Sequence, residues 1–137
     1  MIDHLGLTVS DIARSTEFYL KALAPLGYGI VLEIPAELTG HGAAIGFGVP
    51  GGKPDDFQSG KPSFWIGAGE HLSGPVHVAF VAPSRAGVDA FYQAALAAGG
   101  NDNGPPGLRP HYHANYYAAF VLDPDGNNVE AICHAPG

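Results

Sequence analysis

Sliding the chain along itself by 73 positions superposes His4 on His77, Phe18 on Phe91, Tyr19 on Tyr92, Ala22 on Ala95 and Leu23 on Leu96 without a gap. A duplication of this kind restricts the fold more than any other feature, because both copies must adopt the same local structure. In the first copy, Ile2 to Val9 alternates, with Leu5, Leu7 and Val9 on one face and His4, Gly6 and Thr8 on the other, which predicts a half-buried strand. Ser10-Asp11 then offers an N-cap, and apolar residues recur at helical spacing until Pro25 and Gly27 stop them. Three short strands are expected at Tyr28 to Ile34, Ala43 to Val49 and Ser63 to Ile66. The second copy repeats the order: a strand from Val76 to Val81, and a helix opened by Pro83-Ser84 and closed by Gly99-Gly100. Strands follow at Tyr116 to Leu122 and Asn128 to Cys133, with a poorly patterned segment around Leu108 before them. Asp125-Gly126 signals the tight turn of the closing hairpin.

A strand, a helix and three strands cannot cover both faces of their own small sheet. Two copies side by side can, so the expectation is an α+β chain of two βαβββ modules. They would form a curved mixed sheet with helices outside and a cleft inside, which the resemblance described below makes a metal-binding one. The whole of 1–137 is expected to be one domain, with module one at 1–68 and module two at 74–135. His4 and His77 hold equivalent places on the strand faces turned away from the helices, and pseudo-symmetry is expected to bring them together.

The 137 residues carry 13 Asp+Glu against 6 Lys+Arg, a formal charge of −7 with no basic run, which argues against nucleic acid or an anionic membrane surface as partner. A small molecule is the partner class left. Cys133 is the single cysteine, so an intrachain disulfide and a thiolate zinc cluster are both excluded, as suits a reducing cytoplasm. No signal peptide or run of about 18 apolar residues is visible, so no membrane span is expected.

The segments His4-Leu5-Gly6-Leu7-Thr8-Val9 and Val76-His77-Val78-Ala79-Phe80, with the closing stretch from Phe120 to Glu130, resemble the vicinal oxygen chelate superfamily. That group contains glyoxalases, extradiol dioxygenases, fosfomycin-modifying proteins and bleomycin-binding proteins, and the resemblance covers nearly the whole chain. It implies that His4, His77 and Glu130 are ligands of one divalent ion (Fe, Mn, Ni, Co or Zn), with open positions for two substrate oxygens. The position where glyoxalase I takes a fourth ligand reads Ser63-Phe64-Trp65-Ile66, which contains no Glu, Gln or His. The implied activity is a metal-dependent lyase, isomerase or dioxygenase acting on a small oxygenated substrate, in a homodimer. The competing expectation is a metal-free module that sequesters a planar compound, as bleomycin-binding relatives do.

Alternation on the last strand supports Glu130 independently, because it sets Asn128, Glu130 and Ile132 on one face and Val129, Ala131 and Cys133 on the other. His113 and Tyr116 are candidates for proton transfer, and Trp65, Arg109 and His111 for substrate contact. His111 and His113 form an H-x-H pair, but the helix-containing repeat contradicts the cupin barrel in which such a pair supplies two ligands. The loop from Gly51 to Pro62 is long enough to act as a lid.

Overall fold

A computed structural model describes residues 3–40, 42–51, 60–69, 75–112 and 114–137. The lid expected at Gly51 to Pro62 falls mostly on 52–59, and His113 stands alone in its gap, so both lie outside the described residues. The first module runs β1 (Leu5–Val9), α1 (Ile12–Leu23), β2 (Gly29–Ile34), a one-turn helix α2 (Ala36–Thr39), β3 (Ala44–Gly48) and β4 (Phe64–Ala68). The second runs β5 (His77–Val81), α3 (Arg85–Ala97), β6 (Asn101–Leu108), β7 (Tyr117–Leu122) and β8 (Asn128–Cys133).

The repeat is structural down to the caps. Asp11 accepts a hydrogen bond from the Arg14 amide, and Ser84, at the equivalent position, accepts one from the Gly87 amide. Each cap satisfies an amide that has no partner inside its helix. The spacing Ser15, Phe18, Tyr19, Ala22, Leu23 buries one face of α1, and Val88, Phe91 and Ala95 do the same for α3. Each module keeps its own four-stranded mixed sheet, ordered β1-β4-β3-β2 and β5-β8-β7-β6, with the first strand parallel to the last and the others antiparallel.

The modules meet through helices and aromatic rings rather than through a shared ladder. Helix α1 packs on β4 and β2, α3 packs on β6, β7 and β8, and the two helices touch each other. Phe80 of β5 meets Phe64 of β4 edge-on with centroids 5.2 Å apart, and Tyr28 lies 5.6 Å from Phe80. One core cluster therefore spans both halves. The β7–β8 turn completes the joint. Gly126 takes the left-handed conformation (φ 84°) that the turn requires. The turn's Asp123 is buried and accepts from the Asp125 and Asn127 amides, from the Asn127 side-chain amide, and from the Tyr19 hydroxyl at 2.6 Å. Ser10 also bonds Asp125, and Arg14 donates to the Pro124 carbonyl at 3.2 Å.

Strand β6 is the element the sequence pattern did not show from its start. Its core is Gly104-Pro105-Pro106-Gly107, which has no alternation, and its pairing with β7 shifts register on both sides of Gly104. Just before it, Gly100 leaves no room for a side chain: a Cβ there would lie 2.5 Å from Val121 and 2.8 Å from Phe18. Gly100→Ala is expected to cost about 1–3 kcal/mol through this overpacking of the inter-module joint. Urea unfolding checks it, and a loss below about 0.5 kcal/mol, the scatter of harmless surface changes, would contradict the close approach.

Candidate functional site

Strand β5 buries Val78 and Phe80 and leaves His77, Ala79 and Val81 exposed, so His77 stands on the face turned away from the core. On β8, Val129, Ala131 and Cys133 join the core cluster, which sends Glu130 to the same outer face. Ala79 is the register partner of Glu130 on one side and Phe120 on the other, so Glu130 and His77 are diagonal neighbours. Their side chains meet: His77 Nε2 lies 3.1 Å from Glu130 Oε2.

Backbone chemistry fixes how the imidazole is presented. His77 Nδ1 lies 3.1 Å from the Asn128 carbonyl oxygen, which can only accept, so Nδ1 carries the hydrogen. In the neutral ring, Nε2 then holds the lone pair and points at the carboxylate, which is the tautomer a metal ligand needs. Glu130 is 1% exposed, whereas the His77 side chain is 51% exposed. The other carboxylate oxygen, Oε1, accepts a 2.7 Å hydrogen bond from the Tyr116 hydroxyl. Burial first, and then that bond to Glu130, push the Tyr116 phenol up to about 12, so at neutral pH it is a donor.

Around this pair lies an aromatic and cationic rim. The Phe120 ring stacks against His77 at 6.4 Å, and the Arg109 guanidinium sits 5.7 Å from the centre of the Phe120 ring. Arg109 donates to the carbonyls of Pro105 and Leu108, and among the described residues it has no carboxylate partner. Tyr116 is flanked by Tyr112 at 5.1 Å and, edge-on, by His134 at 5.4 Å, while His111 packs on the outer side of Tyr112 at 4.2 Å. Of the candidates named from sequence, His77, Glu130, Tyr116 and Arg109 thus gather on the second sheet, with His111 at its margin.

His4 and Trp65 belong to the other sheet. They line a shallow, mainly apolar pocket of about 430 Å³ with Gly6, Thr8, Ile34, Ala44 and Gly67. Phe64 turns into the core while Trp65 faces this pocket, which resolves the choice that alternation alone left open. Among the described residues, His4 pairs with the neighbouring Asp3, at 2.7 Å. Among the described residues no three His, Cys, Asp or Glu side chains converge within one chain to hold an ion. The expected meeting of His4 with His77 therefore does not occur inside a single chain. Equivalence in the repeat places both on outward strand faces, but the modules pack through α1, α3 and the Phe64–Phe80 contact, and no ladder joins β1 to β5.

Comparison with known proteins fits this architecture. The family model of the glyoxalase/bleomycin resistance protein/dioxygenase superfamily matches residues 1–131. The chain belongs to that superfamily. None of the curated proteins matches the sequence. Among solved structures, a glyoxalase/bleomycin resistance protein from Albidiferax ferrireducens is 28% identical, with 97% of each chain covered and a TM-score of 0.69. A glyoxalase I mutant from Zea mays is 21% identical (TM-score 0.68), and its match covers 96% of this chain but 46% of that one. The fosfomycin resistance protein of Listeria monocytogenes, solved with Mn(II) and dihydroxypropylphosphonic acid, is 16% identical over 96% of this chain and 88% of its own, with a TM-score of 0.65. The last two share the fold with this member of the superfamily. No helix among the described residues is long and apolar enough to cross a membrane.

Proposed function

We propose that this superfamily member is a metal-dependent enzyme of the lyase, isomerase or dioxygenase kind, acting on a small substrate that presents oxygen atoms to a divalent ion. The observation that carries the reading is the pairing of Glu130 with His77. A carboxylate buried to 1% exposure faces an imidazole nitrogen at 3.1 Å, and among the described residues no Lys or Arg is paired with it. Such a buried charge requires compensation, either a protonated His77 or a cation between the two groups. The donor set, imidazole nitrogen with carboxylate oxygen, suits Fe, Mn, Ni, Co or Zn.

His4 is the third ligand in this reading, contributed by a second copy of the chain. A two-fold axis laying the first sheet of one chain over the second sheet of its partner would gather both histidines and Glu130 twice, once at each end of the contact. The same arrangement brings the apolar pocket with Trp65 over the polar rim, giving the substrate a wall on one side and ligands on the other. When bound, the ion supplies Lewis acidity at the substrate oxygens. Arg109 holds a negatively charged group of the substrate, and His111 lies where the exposed edge of the site admits it. The free, buried thiol of Cys133 suits work in a reducing cytoplasm.

Metal titration of protein purified without a chelating tag tests the reading. One divalent ion per chain, lost in His77→Ala, is the expected outcome. A wild-type protein that takes up no ion, yet binds planar compounds with quenching of Trp65 fluorescence, would instead establish a metal-free sequestering module.

A further inference from the structure

We infer that Tyr116 is a positioning residue that decides which oxygen of Glu130 is offered to the site; this rests on the reading of His77 and Glu130 as metal ligands. A carboxylate has two equivalent oxygens, and one held by a single neighbour can turn to present either or both. Here the Tyr116 hydroxyl occupies Oε1 at 2.7 Å, and only Oε2 is left facing His77 Nε2. The hydroxyl is itself held in place from several directions. The Tyr116 carbonyl accepts from the Arg109 amide at 2.7 Å, and the Tyr112 amide donates to the Arg109 carbonyl, so backbone bonds tie Arg109, Tyr112 and Tyr116 together next to β7. Tyr112 and His134 pack against the Tyr116 ring from two sides. Tyr112 is 65% exposed, so an outer side chain packs on the phenol that reaches a fully buried carboxylate.

This arrangement gives Tyr112 and Tyr116 a task in ligand geometry. Tyr116 acts through Glu130 and need not touch substrate. Outer partners of this type set ligand orientation, and losing one typically weakens metal binding by 10–100-fold.

Tyr116→Phe removes the hydroxyl and keeps the ring packing, so the fold is retained. Co²⁺ titration of wild type and variant, followed in the visible spectrum, is expected to show about 10–100-fold weaker binding and an altered band pattern in the variant. Equal affinity with an unchanged spectrum overturns the inference. A wild-type protein that binds no Co²⁺ overturns the metal reading instead, and the positioning is then read in metal-free protein by NMR. There, Tyr116→Phe is expected to shift the Glu130 carboxyl ¹³C and the His77 ring ¹⁵N resonances, and unchanged resonances overturn the role of Tyr116.

Discussion

Asp123→Ala is expected to destabilise the chain by about 4 kcal/mol or more, enough to remove a large part of the 5–15 kcal/mol that typically separates folded from unfolded domains. The carboxylate is buried and serves four donors, of which the Tyr19 hydroxyl and both Asn127 groups are themselves buried. Deleting it leaves each of them without an acceptor, at roughly 1–3 kcal/mol apiece. Tyr19→Phe removes one of the four contacts and is expected to cost about 1.5–3 kcal/mol, the range for hydrogen bonds to a charged partner. Equilibrium urea unfolding measures both, and a loss under about 1 kcal/mol for Asp123→Ala would show that the turn does not join the modules. The same contact sets an alkaline limit. Burial and then the Asp123 charge hold the Tyr19 phenol well above its usual value of 10.0, so the folded state keeps a proton that the unfolded chain releases. Stability from this group is complete below about pH 10 and falls as the pH rises beyond it, and Tyr19→Phe should lose that part of the decline.

The second large effect concerns the site. Glu130→Ala and His4→Ala are each expected to weaken metal binding more than about 100-fold, since even outer partners of a ligand are worth 10–100-fold. A mixture of the two variants, unfolded and refolded together, should recover part of the loss. In a mixed dimer, His4 of the Glu130→Ala chain meets His77 and Glu130 of the other chain, while the opposite site lacks two ligands. Random pairing makes half the dimers mixed, so about a quarter of all sites should bind metal tightly. Recovery near that level supports a site shared between copies. No recovery, with each variant alone silent, would require all three ligands to come from one chain and would contradict the packing of the modules described above.

Local chemistry made much of this legible in the sequence. The helices were readable because Phe18, Tyr19, Ala22 and Leu23 recur at helical spacing behind an N-cap, and Phe91, Tyr92, Ala95 and Leu96 repeat the pattern. Strand alternation gave the faces on which His77 and Glu130 stand, while their meeting was implied by the family resemblance alone. What escaped depends on partners distant in the chain. Asp123 reads as an ordinary turn residue, and its burial comes from Tyr19, 104 residues away. The bond of the Tyr116 hydroxyl to Glu130 escaped as well, because it depends on how side chains cross between neighbouring strands, which residue spacing does not set; proton transfer by Tyr116 stays a proposal. The separation of His4 from His77 escaped for another reason. A sequence repeat establishes that two positions are equivalent, and it carries no information about how the two copies are packed.

The proline pair in β6 bears on how copies of this chain can associate. This strand forms one border of its sheet, and Pro105 and Pro106 have no amide hydrogens to offer a further strand. Sheet growth by edge addition is blocked there, and with it one open-ended route to fibrils. In the proposed dimer, association runs through the sheet faces instead, where a two-fold contact closes after a single partner and assembly stops at a finite size.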